Sequence, residues 1–153
     1  MKSLSFLLAP IMMLLIVTTP FGQKMDPALR GFWTLNVEKS DFSGQPKPKM
    51  GLVNWGEHGW TFTILTSDGD LYSDGVATDR GCVLIGMSSR NSCEIKIVTP
   101  RHLRFTLKEG TVVRRVGDIE LLDNNTTQTT HRVTPSDGAP YVEKTIWEKP
   151  AQK

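Results

Sequence analysis

Beyond residue 24 the apolar residues of this chain recur every second position, with no helical period of useful length. The clearest case is His102 to Glu109, where Leu103, Phe105 and Leu107 alternate with His102, Arg104, Thr106 and Lys108. Successive strand side chains point to opposite faces, so this stretch is a strand with one apolar face. The same alternation marks Gly31 to Val37, Met50 to Trp55, Trp60 to Thr66, a weaker Leu71 to Thr78, and Cys93 to Thr99. It continues in Thr111 to Val116, which Ile119 to Leu122 extends past Gly117, and in Thr126 to Thr134 and Tyr141 to Glu148. Cys82 to Gly86 adds one more short strand.

Turn chemistry separates these runs: Asp68-Gly69, Glu109-Gly110, Asn124-Asn125 and Pro135-Ser136-Asp137-Gly138. Asp74-Gly75 falls inside a strand and reads as a bulge. Met25 to Leu29 suits one short helical turn, with Asp26 as N-cap and Pro27 behind it. The sequence therefore predicts an all-β domain, an antiparallel up-and-down meander of about 8–10 strands. A meander this long must hide its edges, and closing into a barrel does so. A two-sheet β-sandwich is the alternative.

The chain has 153 residues and divides into a signal segment, 1–23, and one domain, 24–153. Met1 and Lys2 form a positive start, Leu4 to Val17 an apolar run, and Thr18 to Gln23 a short polar stretch. That order reads as a secretory signal peptide, cleaved near Gly22 or Gln23. The apolar run is short for a membrane span, so no stable span is expected after cleavage. Cys82 and Cys93 are the chain's two cysteines and are expected to form a disulfide bond in an oxidising compartment. Both features place the mature protein outside the cytoplasm, periplasmic or secreted. The formal net charge of +2 gives no field for nucleic acid.

Gly31-Phe32-Trp33, on the first strand after a short turn, resembles the opening of the lipocalin and calycin barrels. The stretch GFWTLNVEKSDFSGQPKPK is also similar to the start of small secreted bacterial lipocalin-like proteins of largely unassigned function. The resemblance implies that Trp33 plugs one barrel end with Gly31 before it. It also implies that an arginine of a late strand, Arg115 or Arg132, stacks on the indole. KTIWEKP loosely resembles the last strand of the intracellular fatty-acid-binding barrels. Thr145 and Trp147 stand where those proteins carry their carboxylate-gripping Arg and Tyr, so that grip does not carry over.

Strand alternation also suggests a binding site. On Thr126 to Thr134 the less polar face holds Thr127, Thr129, His131 and Val133, which should point inward. Hydroxyls and an imidazole inside a barrel need partners, and a cavity with water or a polar ligand would supply them. Either Arg114 or Arg115 must also point inward, with Glu94 or Glu143, a ligand anion or Trp33 to receive it. The expected ligand-binding wall is Leu35, Trp60, Phe62, Ile64, Ile97 and Phe105, with Arg115, Thr129 and His131 as polar members. Its occupant would be a small hydrophobic or amphipathic ligand.

Trp33, Trp55, Trp60 and Trp147 are many indoles for one barrel; three or more pointing inward are expected to leave little cavity. A filled barrel would act through its surface, as an envelope or interaction module. A barrel enzyme would rest on His131 and a nearby acid. No nucleophile motif, phosphate loop, metal-ligand spacing or cofactor motif is visible, so no catalytic residue, metal or cofactor is assigned. His58 and His102 read as solvated.

Overall fold

A computed structural model describes residues 24–77, 83–85 and 91–151. The signal segment and Cys82 lie outside the described residues, and Cys93 sits partly buried against the core. Ten strands follow a 3₁₀ turn at Pro27–Leu29. They are β1 (Gly31–Asp41), β2 (Met50–Trp55), β3 (Gly59–Leu65), β4 (Leu71–Ala77), β5 (Val83–Ile85), β6 (Asn91–Thr99), β7 (His102–Glu109), β8 (Val112–Asp123), β9 (Thr126–Val133) and β10 (Tyr141–Glu148).

All ladders are antiparallel, in the order β5-β4-β3-β2-β1-β10-β9-β8-β7-β6. Every strand except β5 and β6 therefore has a paired neighbour on each side. The first and last strands pair with each other, Leu35 opposite Trp147, and curl the meander into a barrel. Its seam runs between β5 and β6, which lie beside each other without a shared ladder. A sandwich would need two separate sheets, and the strands form one.

The turn forms where the sequence places it. Asp26 Oδ1 accepts the Ala28 N–H at 2.9 Å. Leu29 and Trp33 are the two most deeply buried large side chains, and the Trp33 indole N–H donates to the Leu29 carbonyl at 2.8 Å. The Asp26 N–H donates to the Pro100 carbonyl at 2.7 Å, which ties the turn across the barrel end. Trp33 thus plugs this end, but neither predicted arginine stacks on it. The cation over its ring is Lys149, 4.9 Å from the centroid. Arg115 and Arg132 lie on strands whose register carries them elsewhere.

One local expectation also changes. The β3–β4 ladder runs in unbroken register through Phe62↔Asp74 and Thr61↔Gly75, so Asp74-Gly75 is regular strand and not a bulge. Register shifts occur instead in the β6–β7, β7–β8 and β8–β9 ladders and in β1, between Asn36 and Asp41. There the Ser40 hydroxyl donates to the Asn36 carbonyl and accepts the Ile146 N–H at 2.9 Å, bridging the gap in the ladder.

On the outer wall, Asp118 of β8 is met by two arginines and a histidine from both neighbouring strands. Arg104 and Arg132 each donate to it at 2.7 Å, and His102 lies 3.0 Å away. His102 is therefore a carboxylate partner, not a solvated side chain. Burial pulls the Asp118 carboxyl upward, but the bonds from Arg104, Arg132 and His102 outweigh it and hold it well below the ordinary carboxylate range. The unfolded chain takes up this proton at a higher pH than the folded one, so stability is lost as pH falls below about 4. Asp118→Asn should cost about 1–2 kcal/mol at neutral pH, since both arginines are half exposed. Urea midpoints at pH 7 and pH 3 check this: the two proteins should differ at pH 7 and converge toward pH 3.

Candidate functional site in the barrel lumen

The inner faces of the strands do not meet across the barrel. They enclose a cavity of about 530 Å³, within the range of small-molecule sites. The plugged end holds Trp33. At the opposite end the rim is formed by Phe42, Gln45, Pro46 and Pro48 of the β1–β2 loop, and by Thr66, Ser67 and Asp68 after β3. This opposite end is the mouth.

Register layers the interior. Nearest the plug lie Trp55, Trp60 and Trp147, with Val76, Ile119 and Thr127. Trp55 and Trp60 stack at 4.5 Å between centroids. The Trp147 indole N–H donates to the Thr145 hydroxyl at 3.0 Å, so its buried polar end is satisfied within the wall. All four indoles are buried, yet the cavity remains, contrary to the expectation from their count. Trp33 is spent on the plug, and the stacked pair lies against one side of the wall.

Toward the mouth the wall turns polar. His131 Nδ1 lies 2.9 Å from Glu143 Oε1. Tyr72 donates its hydroxyl to Asp74 Oδ2 at 3.0 Å, and the Gly75 N–H donates to Asp74 Oδ1 at 2.6 Å. Arg115 borders this cavity and also a second recess of about 360 Å³ beside the β7–β8 hairpin. Arg114 points the other way, to Glu109 at 2.9 Å and the Pro135 carbonyl at 3.2 Å. Of the two adjacent arginines, Arg115 is therefore the inward one. Among the described residues its guanidinium makes no hydrogen bond or ion pair, and its charge acts on Glu143, His131 and Tyr72 from beyond contact distance.

A glycine shapes this region. Phe105, Gly117 and His131 face one another across β7, β8 and β9. A Cβ on Gly117 would sit 2.2 Å from the Phe105 ring and 2.9 Å from His131. Gly117 lets both rings lean over the β8 backbone and meet edge to face, 5.7 Å apart.

The polar pairs carry definite charge states. Burial pushes the His131 imidazole down, Glu143 opposes that through its hydrogen bond, and the Arg115 charge pushes it down further. Burial raises the Glu143 carboxyl, but the bond and charge of His131 and the charge of Arg115 outweigh it and leave it lowered. At neutral pH Glu143 is thus ionised and His131 neutral. A carboxylate only accepts, so Nδ1 carries the proton and donates, leaving Nε2 as an acceptor. Burial, then the bond to Asp74 and its charge, raise the Tyr72 phenol, which stays protonated as a donor.

Of the wall expected from the sequence, Leu35, Trp60, Phe62, Ile64, Phe105, Arg115, Thr129 and His131 line the cavity. Ile97 does not. It packs against the core from β6, opposite Leu103 at the plugged end, beyond the cavity's reach. Sequence reasoning missed Tyr72 and Asp74. Their signal is the alternation Tyr72, Asp74, Val76, which a bulge at Asp74-Gly75 would interrupt and the regular ladder preserves. Among the described residues no cluster of His, Cys, Asp and Glu is arranged to hold a metal, and no helix is long and apolar enough to cross a membrane. Comparison with protein-family profiles, curated proteins and solved structures finds no match to this chain.

The lowered His131 gives a pH signature. Below about pH 6.5 the unfolded chain binds a proton that the folded chain refuses, so stability rises with pH there. Glu143, also lowered, adds the same sign below about pH 4.3. Unfolding free energy should therefore fall from pH 7.5 to 5.5, by at most about 1.4 kcal/mol per pH unit per proton. His131→Gln should flatten that interval, as measured by denaturant titration at each pH.

Proposed function

We propose that this protein is an extracytoplasmic binding barrel that holds a small, partly apolar molecule in its lumen and does no chemistry on it. One observation carries the reading: a cavity of about 530 Å³, open at one end, with indoles deep inside and polar groups toward the mouth. Apolar burial would supply affinity, at about 25 cal/mol per Å² before ordering costs, and the polar side chains would set orientation. The cavity counts against a filled-core interaction module. A barrel enzyme is the second reading, favoured by the carboxylate that orients His131.

The Gly31-x-Trp33 opening, the short turn beneath it and the meander support a lipocalin-like barrel. The order of charged, apolar and polar residues in 1–23 supports export, and the even cysteine count supports a Cys82–Cys93 bridge. Intact mass of the exported, unreduced protein tests both. The expected chain begins near Gln23 and is lighter by the two thiol hydrogens.

The binding reading is tested with phenylnaphthylamine, a neutral apolar fluorophore. Saturable one-to-one binding is expected, with enhanced fluorescence and energy transfer from the lumen indoles. Thr129→Trp, which fills the lumen, should weaken it at least about tenfold with unchanged far-ultraviolet circular dichroism. No saturable binding, or full binding by Thr129→Trp, would remove the reading. Native mass spectrometry of protein from its own source then weighs the natural guest.

A further inference from the structure

Six arginines lie among the described residues, and five have partners. Arg30 pairs with Glu57, Arg101 donates to the Leu121 carbonyl, Arg104 and Arg132 hold Asp118, and Arg114 holds Glu109. Arg115, the one inside the lumen, is the exception: it makes no hydrogen bond or ion pair among the described residues, and only its charge reaches Glu143. Arg115 is half-buried, and taking its guanidinium further from water beside apolar walls is costly unless an anion meets it. The two acids inside the lumen spend their hydrogen bonds elsewhere, Glu143 on His131 and Asp74 on Tyr72 and its neighbouring backbone N–H, and Asp68 stands at the rim.

We propose that Arg115 anchors the head group of an amphipathic monoanion, a carboxylate or sulfonate whose apolar body extends toward Trp55, Trp60 and Trp147. This rests on the lumen-binding reading and names its ligand class. The guanidinium's planar fork of donors matches two anionic oxygens side by side. Its place between the main cavity and the smaller recess near the mouth leaves room for a solvated head group and keeps the deep apolar part for the tail. A single negative charge is favoured over two, because Glu143 and Asp74 line the same cavity and repel further charge.

Paired probes of one skeleton test this: neutral phenylnaphthylamine and anionic anilinonaphthalene sulfonate. The wild-type protein should bind the sulfonate at least about tenfold more tightly, the worth of one charge-assisted bond. Arg115→Gln should bind the neutral probe as the wild type does and lose the preference, and Arg115→Lys should keep part of it. Unchanged neutral binding reports that the variant lumen is intact. A wild type with no preference, or an Arg115→Gln protein that retains it, overturns the anchor while lumen binding stands. A wild type that binds neither probe overturns lumen binding and the anchor together.

Discussion

The ladder between β1 and β10 is the contact on which the rest of the structure depends. Without it the strands fall into two five-stranded sheets, and β1 and β10 would each offer a long row of unpaired N–H and C=O groups to other chains. With it, the chain's two ends meet in the middle of the sheet, and the seam moves to short β5 beside β6. Closure also fixes which residues face inward, because register sets the parity of each unbroken stretch of ladder. The plug follows from the same ladder: β1 brings Trp33 to the end where Lys149, just past β10, covers its ring. The β1 irregularity is bridged by Ser40, so a hydroxyl replaces the backbone acceptor that Ile146 would otherwise lack.

A barrel of this size has a choice between filling its inside and leaving it open. Here the large rings gather at one end and smaller or polar side chains hold the other. Glycines at inward positions reinforce this. Gly117 lets Phe105 and His131 lie over the strand, and Gly51 gives Leu35 and Ile64 the same room on the opposite wall. Hydroxyls, imidazole and carboxylates inside the wall find one another, and among the described residues no buried side-chain polar atom is left without a partner. The polar mouth and apolar depth thus come from strand register and do not require a bound molecule to hold them apart.

Alternation made much of this readable in the sequence. The inward face of β9 followed from Thr127, Thr129, His131 and Val133 being the less polar set, and the meander followed from turns between alternating runs. What failed needed distances that parity does not carry. Ile97 points inward but stands too near the plugged end to reach the cavity. Residue volume predicted a crowded lumen, because counting indoles ignores where along the axis each one sits. Lys149 lies beyond the last alternating residue, so nothing in the strand pattern aimed it at Trp33. The Asp118 cluster joins side chains on three strands and was invisible until those strands were placed in register.

The arginines show how much one step of register decides. Arg114 and Arg115 are neighbours of the same type on the same strand, yet one is held at the surface by Glu109 and the other borders the lumen. Arg104 and Arg132 flank β8 and reach the one acid of that strand that faces outward between them, Asp118. Sliding β8 by one residue against its neighbours would turn Asp118 inward and Arg114 with it. The outer guanidiniums would then lose their acid, and the lumen would gain a carboxylate beside Glu143 and Asp74. The electrostatic cost of that arrangement on both faces adds to the hydrophobic cost of exposing Ile119 and Leu121. The same outer ion cluster that holds three strands in step therefore also keeps Arg115 inside.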